Sequence, residues 1–213
     1  MKACLEITYT PQGAWTPEAL MAALAQAATD HANELGIGHD EMVERYGCLW
    51  MLVRSRIAMR LLPPPGEPLT VRTWLRRPSP AMSVRDYEFV REGEVVGRGL
   101  QYWVLASEKE RHIVAMRDIS VLWELPTVQP ERRETIRRLV LPEALPEAGA
   151  WTVTPEEIDD NGHLNNVVYV RHAQRFAPPE TKFFEIIYDR ECLLGETLHL
   201  FAQDGCVRGV KSD

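Results

Sequence analysis

At 213 residues, 45% hydrophobic and 26% charged, the chain can bury one sizeable core or two small ones and reads as globular and soluble. No apolar run approaches the ~20 residues of a membrane span, and a formal net charge of −7 excludes general nucleic-acid binding, which needs a basic surplus. The opening "MKACLEITYT" lacks an apolar stretch of signal-peptide length, and Cys4, Cys48, Cys192 and Cys206 form no C-x-x-C pair, so the expectation is a cytoplasmic chain with reduced thiols, no structural metal and no cofactor.

"CLEITYT" reads as a strand, and "AWTPEALMAALAQAATDHANELG" as a long helix with Thr16 as N-cap, Pro17 at its first position and Gly36 as its stop. Leu20, Leu24, Ala27, Ala28, His31 and Leu35 share one stripe, and the alanines make the rod slim enough for a sheet to wrap around it. His31 reads as a core or rim histidine and not a ligand. After a short helical turn near "DEMVERYG" come four runs of β character, "CLWMLVRSRIAMRL", "EPLTVRTWLR", "SVRDYEFVRE" and "EVVGRGLQYWVLAS", parted by Pro- and Gly-rich turns. One helix followed by antiparallel strands is an α+β unit, and the alternation in "SVRDYEFV" predicts one packed and one wet face.

"LPTVQPERRETIRRLVLPEALPEAGA" has prolines at both ends and a charged helical middle, which makes it a linker; the pairs Arg76-Arg77, Arg132-Arg133 and Arg137-Arg138 read as solvated faces. A second unit then begins at Trp151: "WTVT" as a strand, Asn166 to about Phe176 as a helix, "KFFEIIYDREC" and "ETLHLFAQ" as strands. "GEPLTV" at Gly66 and "GETLHL" at Gly195 echo each other at the same place in the two units. The expected division is 1–120, a linker over 121–150, and 151–213, the last unit reading as incomplete.

The densest polar cluster is "EEIDDNGHLNNVVYVRHA". On local chemistry alone, Asp160, Asn161 and Gly162 make a tight turn and Asn165 caps the next helix. The other reading is an active site, since a helix N-terminus offers unpaired N–H groups to a developing oxyanion. The first helix starts through "PQGAWTPEAL" with no such cluster, which favours chemistry over capping.

A helix wrapped by an antiparallel sheet, present twice, with "DDNGHLNN" opening the second helix, resembles the acyl-acyl-carrier-protein thioesterases of plants and bacteria, which are tandem hotdog proteins. Asp159, Asn161, His163, Asn165 and Asn166 match that family's Asp-x-Asn-x-His-x-Asn-Asn motif, and Tyr188, Asp189, Arg190, Glu191 and Cys192 match the strand that follows it. "HANELGIG", "WMLVRSRI" and "GEPLTVRTWLRRP" leading into "RDYEF" add to the likeness. The resemblance implies Asp159, Asn161, His163 and Glu191 as the catalytic set, with Cys192 as a weaker candidate nucleophile. Strand alternation puts Glu191 and Cys192 on opposite faces, with Cys192 on the more apolar one, which favours Glu191.

The resemblance further implies hydrolysis of fatty acyl-acyl-carrier-protein in fatty acid biosynthesis, with the carrier as partner; a homodimer is compatible with it. Asn165 and Asn166 are candidate substrate contacts, and Trp50, Met51, Met59 and Trp74 candidate linings of an acyl tunnel or plain core residues. Two alternatives stand beside it: an acyl-CoA thioesterase of hotdog type, because "D-x-x-G-H-L-N-N-x-x-Y" is also similar to the 4-hydroxybenzoyl-CoA thioesterase group, and a non-catalytic acyl-binding protein.

Overall fold

The structure is a computed structural model that describes residues 1–130, 134–137, 139–159 and 162–212. Arg132, Arg133, Arg138, Asp160 and Asn161, all named in the sequence reading, lie outside the described residues. Strand β1 (Cys4–Tyr9) leads into α1 (Pro17–Glu34) and α2 (His39–Tyr46). There follow β2 (Cys48–Met59), β3 (Leu69–Leu75), β4 (Ser83–Arg91), β5 (Glu94–Ser107) and β6 (Ile113–Val114).

The long helix starts where its residues dictate. Thr16 Oγ1 accepts the Ala19 N–H at 3.2 Å, Pro17 follows at the first helical position, and Gly36, at φ +67°, turns the chain away. Leu20, Leu24, Ala27 and Ala28 bury against Ile57, Val71, Tyr87 and Phe89 of the sheet. The approach is close enough that β5 needs a glycine beneath the helix: a Cβ on Gly99 would lie 2.8 Å from Leu24 Cδ2 and 3.2 Å from Tyr87 Cβ.

The later half contributes a short helix, α3 (Val121–Glu124), then β7 (Glu147–Thr152), α4 (Asn166–Ala173), β8 (Phe183–Ile187), β9 (Thr197–Gln203) and β10 (Cys206–Lys211). All strand pairings are antiparallel. The large sheet runs β1-β3-β4-β5-β2-β8, with β6 beside β5, and a small one runs β10-β9-β7. β7 pairs with β9 as β1 pairs with β3, and β9 with β10 as β3 with β4, so the order of the first half recurs in the second. β5 has no counterpart among the described residues of the second half. β8, which the sequence places in the later unit, joins the large sheet against β2, Arg54 opposite Ile187 through Ala58 opposite Phe183.

Two expectations are corrected. Residues 134–137, expected within a helical stretch, carry no helix; this segment lies over the outer face of the large sheet, where Ile136 buries with Leu100 and Tyr102 and donates its N–H to Tyr102 Oη at 2.9 Å. Arg76 is not solvated. It is 8% exposed, forks onto both Asp86 oxygens at 2.6 Å and donates to the Glu134 carbonyl at 2.9 Å, so part of the face expected to be wet is covered.

Candidate active site

The polar segment folds on itself before α4 begins. Thr154 N–H donates to Glu157 Oε2 at 3.1 Å, opening a single 3-10 turn over Pro155–Glu157. Asp159 N–H then donates to the His163 carbonyl at 2.8 Å, Gly162 N–H to the Asp159 carbonyl at 2.9 Å, and His163 N–H to Asp159 Oδ1 at 3.1 Å. Gly162 sits at φ +76°, a conformation in which a Cβ is strained. Asp159 thus holds the turn through the backbone of His163. Asn165 is the cap: its Oδ1 accepts the Val167 N–H at 2.9 Å.

The turn is pinned to a second loop. Leu164 N–H donates to the Cys192 carbonyl at 2.8 Å, and Tyr188 Oη to the Asn166 carbonyl at 3.1 Å. β2 shifts register between Leu52 and Arg54, and Tyr188 N–H reaches the Val53 carbonyl at 3.0 Å at that bulge. Beyond it the chain leaves the sheet. Residues 188–192, expected to continue the strand, are irregular, so strand alternation does not place Glu191 and Cys192.

Packing separates those two residues instead. Cys192 is 2% exposed among Val153, Leu164, Val168 and Leu198, and burial pushes its thiol up, with Tyr169 and Lys211 offsetting only part of that. Glu191 faces the opening, with Oε2 3.1 Å from His163 Nε2. His163 itself is 8% exposed.

Arg111, which the sequence reading did not single out, completes the group. It lies in the turn joining β5 to β6 at φ +59°, with Nη1 3.2 Å from Glu191 Oε2 and hydrogen-bonded to His163 Nε2. A guanidinium only donates, so Nε2 is the acceptor and the neutral ring carries its proton on Nδ1. The only local signal of Arg111 was a charged turn, and such turns are usually solvated.

These groups stand at a cavity of about 700 Å³ lined by one flank of α1, residues 50–53 of β2 and 103–104 of β5, the turn before α4 and residues 188–191. Trp50, Met51, Asn165 and Asn166 line it, as do Asp159, His163 and Glu191. Met59 and Trp74 are not among its lining residues. Met59 packs in the core against the bare Cα of Gly97, and Trp74 alternates with Thr73 and Leu75 onto the outer face of β3. The Asn166 N–H, in the first turn of α4, meets no acceptor among the described residues and is free for a ligand.

Residues 11–121 match the sequence model of the acyl-ACP thioesterase N-terminal domain. The chain belongs to the acyl-ACP thioesterase family. Among curated members of the family, the chloroplastic palmitoyl-acyl carrier protein thioesterase of Cuphea hookeriana is 24% identical over 199 residues, covering 82% of this chain and 47% of that protein. The chain spans about half the length of the curated relatives it matches. The solved acyl-ACP thioesterase of Bacteroides thetaiotaomicron superposes with a TM-score of 0.83 at 21% identity, over 98% of this chain and 92% of that one. The 12:0-ACP thioesterase of Umbellularia californica does so with a TM-score of 0.75 at 20% identity, over 93% and 82%. The shared architecture is the α+β tandem hotdog.

Proposed function

We propose that this acyl-ACP thioesterase-family chain hydrolyses the thioester of a fatty acyl chain carried on acyl carrier protein, releasing the free acid and the carrier's thiol in fatty acid synthesis. The observation that carries the reading is the Glu191 carboxylate within 3.1 Å of His163 Nε2 at the edge of a cavity of about 700 Å³, in a chain of this family. Residues 1–120 supply the acyl-binding unit, 121–150 the connector and 151–213 the reacting groups. No helix among the described residues is long and apolar enough to cross a membrane. The four cysteines are free thiols, which suits a reducing compartment such as the cytoplasm.

In the proposed reaction Glu191 takes a proton from water as the water oxygen attacks the thioester carbonyl carbon. The carbonyl oxygen, gaining charge, is received by the Asn166 N–H at the start of α4, where the helix dipole adds to the attraction. The C–S bond then breaks, and the departing sulfur takes the proton from Glu191. Arg111 holds the carboxylate in place and ties it to His163, Asp159 and Gly162 hold His163, and Asn161 is proposed to orient the water or the carbonyl.

The test is release of free thiol from matched acyl-acyl-carrier-protein and acyl-CoA thioesters by the pure protein. Faster turnover of the carrier-protein thioester is the expected outcome. Preference for CoA would move the assignment to an acyl-CoA thioesterase, and tight binding without release to an acyl-binding protein.

A further inference from the structure

Glu191 stands on a stretch that no strand supports: residues 188–192 are irregular, and β9 begins only at Thr197. A base carried on such a segment keeps its aim only if bonds from rigid elements fix the main chain beneath it, because an unpaired backbone is otherwise free to wander. Three successive residues are fixed in this way. Lys211 Nζ donates to the Glu191 carbonyl at 3.2 Å, Leu164 N–H to the Cys192 carbonyl at 2.8 Å, and Leu193 N–H to Glu196 Oε2 at 2.7 Å.

The first and third of these bonds belong to one device. Lys211 Nζ also lies 2.6 Å from Glu196 Oε1, so the two side chains form a bridge that holds the loop on either side of Cys192. Lys211, and then the Leu193 N–H, hold the Glu196 carboxyl below its ordinary value. Both ends of the bridge rest on the small sheet: Lys211 ends β10 opposite Leu198 of β9, and the Glu196 carbonyl accepts the Val153 N–H at 2.9 Å, one residue past β7. Arg111 grips the Glu191 carboxylate from the other half of the chain. Lys211 grips the main chain from which that carboxylate hangs.

Folding stability does not account for the bridge. The Lys211 and Glu196 side chains are 29% and 31% exposed, and an ion pair so open to water contributes little to the fold. Charge-assisted bonds to a peptide carbonyl and a peptide amide are, however, short and directional. A reacting group moved by about 1 Å can lose on the order of 100-fold in rate.

We propose that Lys211, locked by Glu196, is a positioning residue for Glu191, fixing the main chain of the loop so that the carboxylate stays with Arg111 and His163 at the cavity. The inference rests on the thioesterase reading for its kinetic readout but not for its structural one.

The experiment uses the whole chain as wild type, Lys211→Met, Lys211→Arg, Glu196→Gln and the double variant Lys211→Met with Glu196→Gln. Thiol release from an acyl-acyl-carrier-protein thioester gives kcat and KM, urea unfolding gives stability, and mass-spectrometric amide exchange follows residues 188–194. Lys211→Met is expected to lower kcat about 10- to 100-fold with little change in KM or in the urea midpoint, and Lys211→Arg to recover part of the loss. Exchange over 188–194 is expected to quicken in Lys211→Met and less so in Lys211→Arg. The double variant should be no slower than the worse single one, because the two residues act as one bridge. An unchanged kcat in Lys211→Met, a loss that Lys211→Arg leaves unrepaired, or additive losses in the double variant overturns the proposal. If the wild type cleaves no thioester, the hydrolytic reading fails and exchange decides the bridge alone: quicker exchange in Lys211→Met supports it, and unchanged exchange overturns it.

Discussion

Arg111 Nη1 and Glu191 Oε2 are 80 positions apart in the chain and 3.2 Å apart in space. The turn between β5 and β6 thus places a fixed cation on the carboxylate proposed as the base, and the same nitrogen bonds His163. Arg111→Ala is expected to lower kcat about 10- to 100-fold, the range for a group that positions a reacting partner. The effect on KM is expected to be smaller, and Arg111→Lys should recover part of the loss. Steady-state kinetics of the two variants check this; an unchanged kcat in Arg111→Ala would remove the residue from the site.

Cys192 is buried in the small sheet's core with its thiol pushed up, the reverse of an activated nucleophile. Cys192→Ala is expected to keep most of the activity and to lose about 1 kcal/mol of stability through the small void. Thiol-release assays and urea denaturation measure the two effects. Loss of activity in a folded variant would return Cys192 to the mechanism.

Gly99 lets α1 approach β5. With a Cβ 2.8 Å from Leu24 Cδ2 and 3.2 Å from Tyr87 Cβ, Gly99→Ala is expected to destabilise the fold by about 1–3 kcal/mol through overpacking. The urea midpoint should fall without a change in m-value.

His31 is fully buried, and burial first, then the charge of Arg85, hold its imidazole below its ordinary value. The unfolded chain takes up the proton near pH 6.5, whereas the folded chain resists it to lower pH. The unfolded state therefore binds more protons in that window, and stability rises with pH there. The contribution is fully present above about pH 6.5 and is lost as the pH falls below it toward the folded value. The stability difference between wild type and His31→Gln, from urea unfolding at pH 5.5 and 7.5, should be larger at pH 7.5; a difference that is flat or larger at pH 5.5 would contradict the assignment.

Local chemistry was what the sequence made legible. Thr16, Pro17 and Gly36 mark the ends of α1 through cap, fixed φ and positive φ, and the apolar stripe from Leu20 to Leu35 proved to be buried. The Gly66 and Gly195 echoes fall before β3 and β9, which hold matching places in the two sheets. What local pattern does not encode is partnership. Nothing in "KFFEIIYDREC" says that β8 pairs with β2, or that the chain leaves the sheet after Ile187, so the alternation argument for Glu191 over Cys192 rested on a strand that ends too early. Arg111 escaped notice because its role depends on a turn in one half meeting a loop in the other. Met59 and Trp74 read equally as tunnel linings or plain core residues, and only the register of β2 and β3 decides which way they face.

The central claim is that Glu191 performs the proton transfer at a thioester seated in this cavity. Its most direct test is single-turnover hydrolysis of an acyl-acyl-carrier-protein thioester by wild type and Glu191→Gln, with binding of the acyl chain measured on the same preparations. The account predicts a rate lowered by about 10²- to 10⁴-fold, as for loss of a general base, with binding retained. A Glu191→Gln rate equal to that of wild type would contradict it.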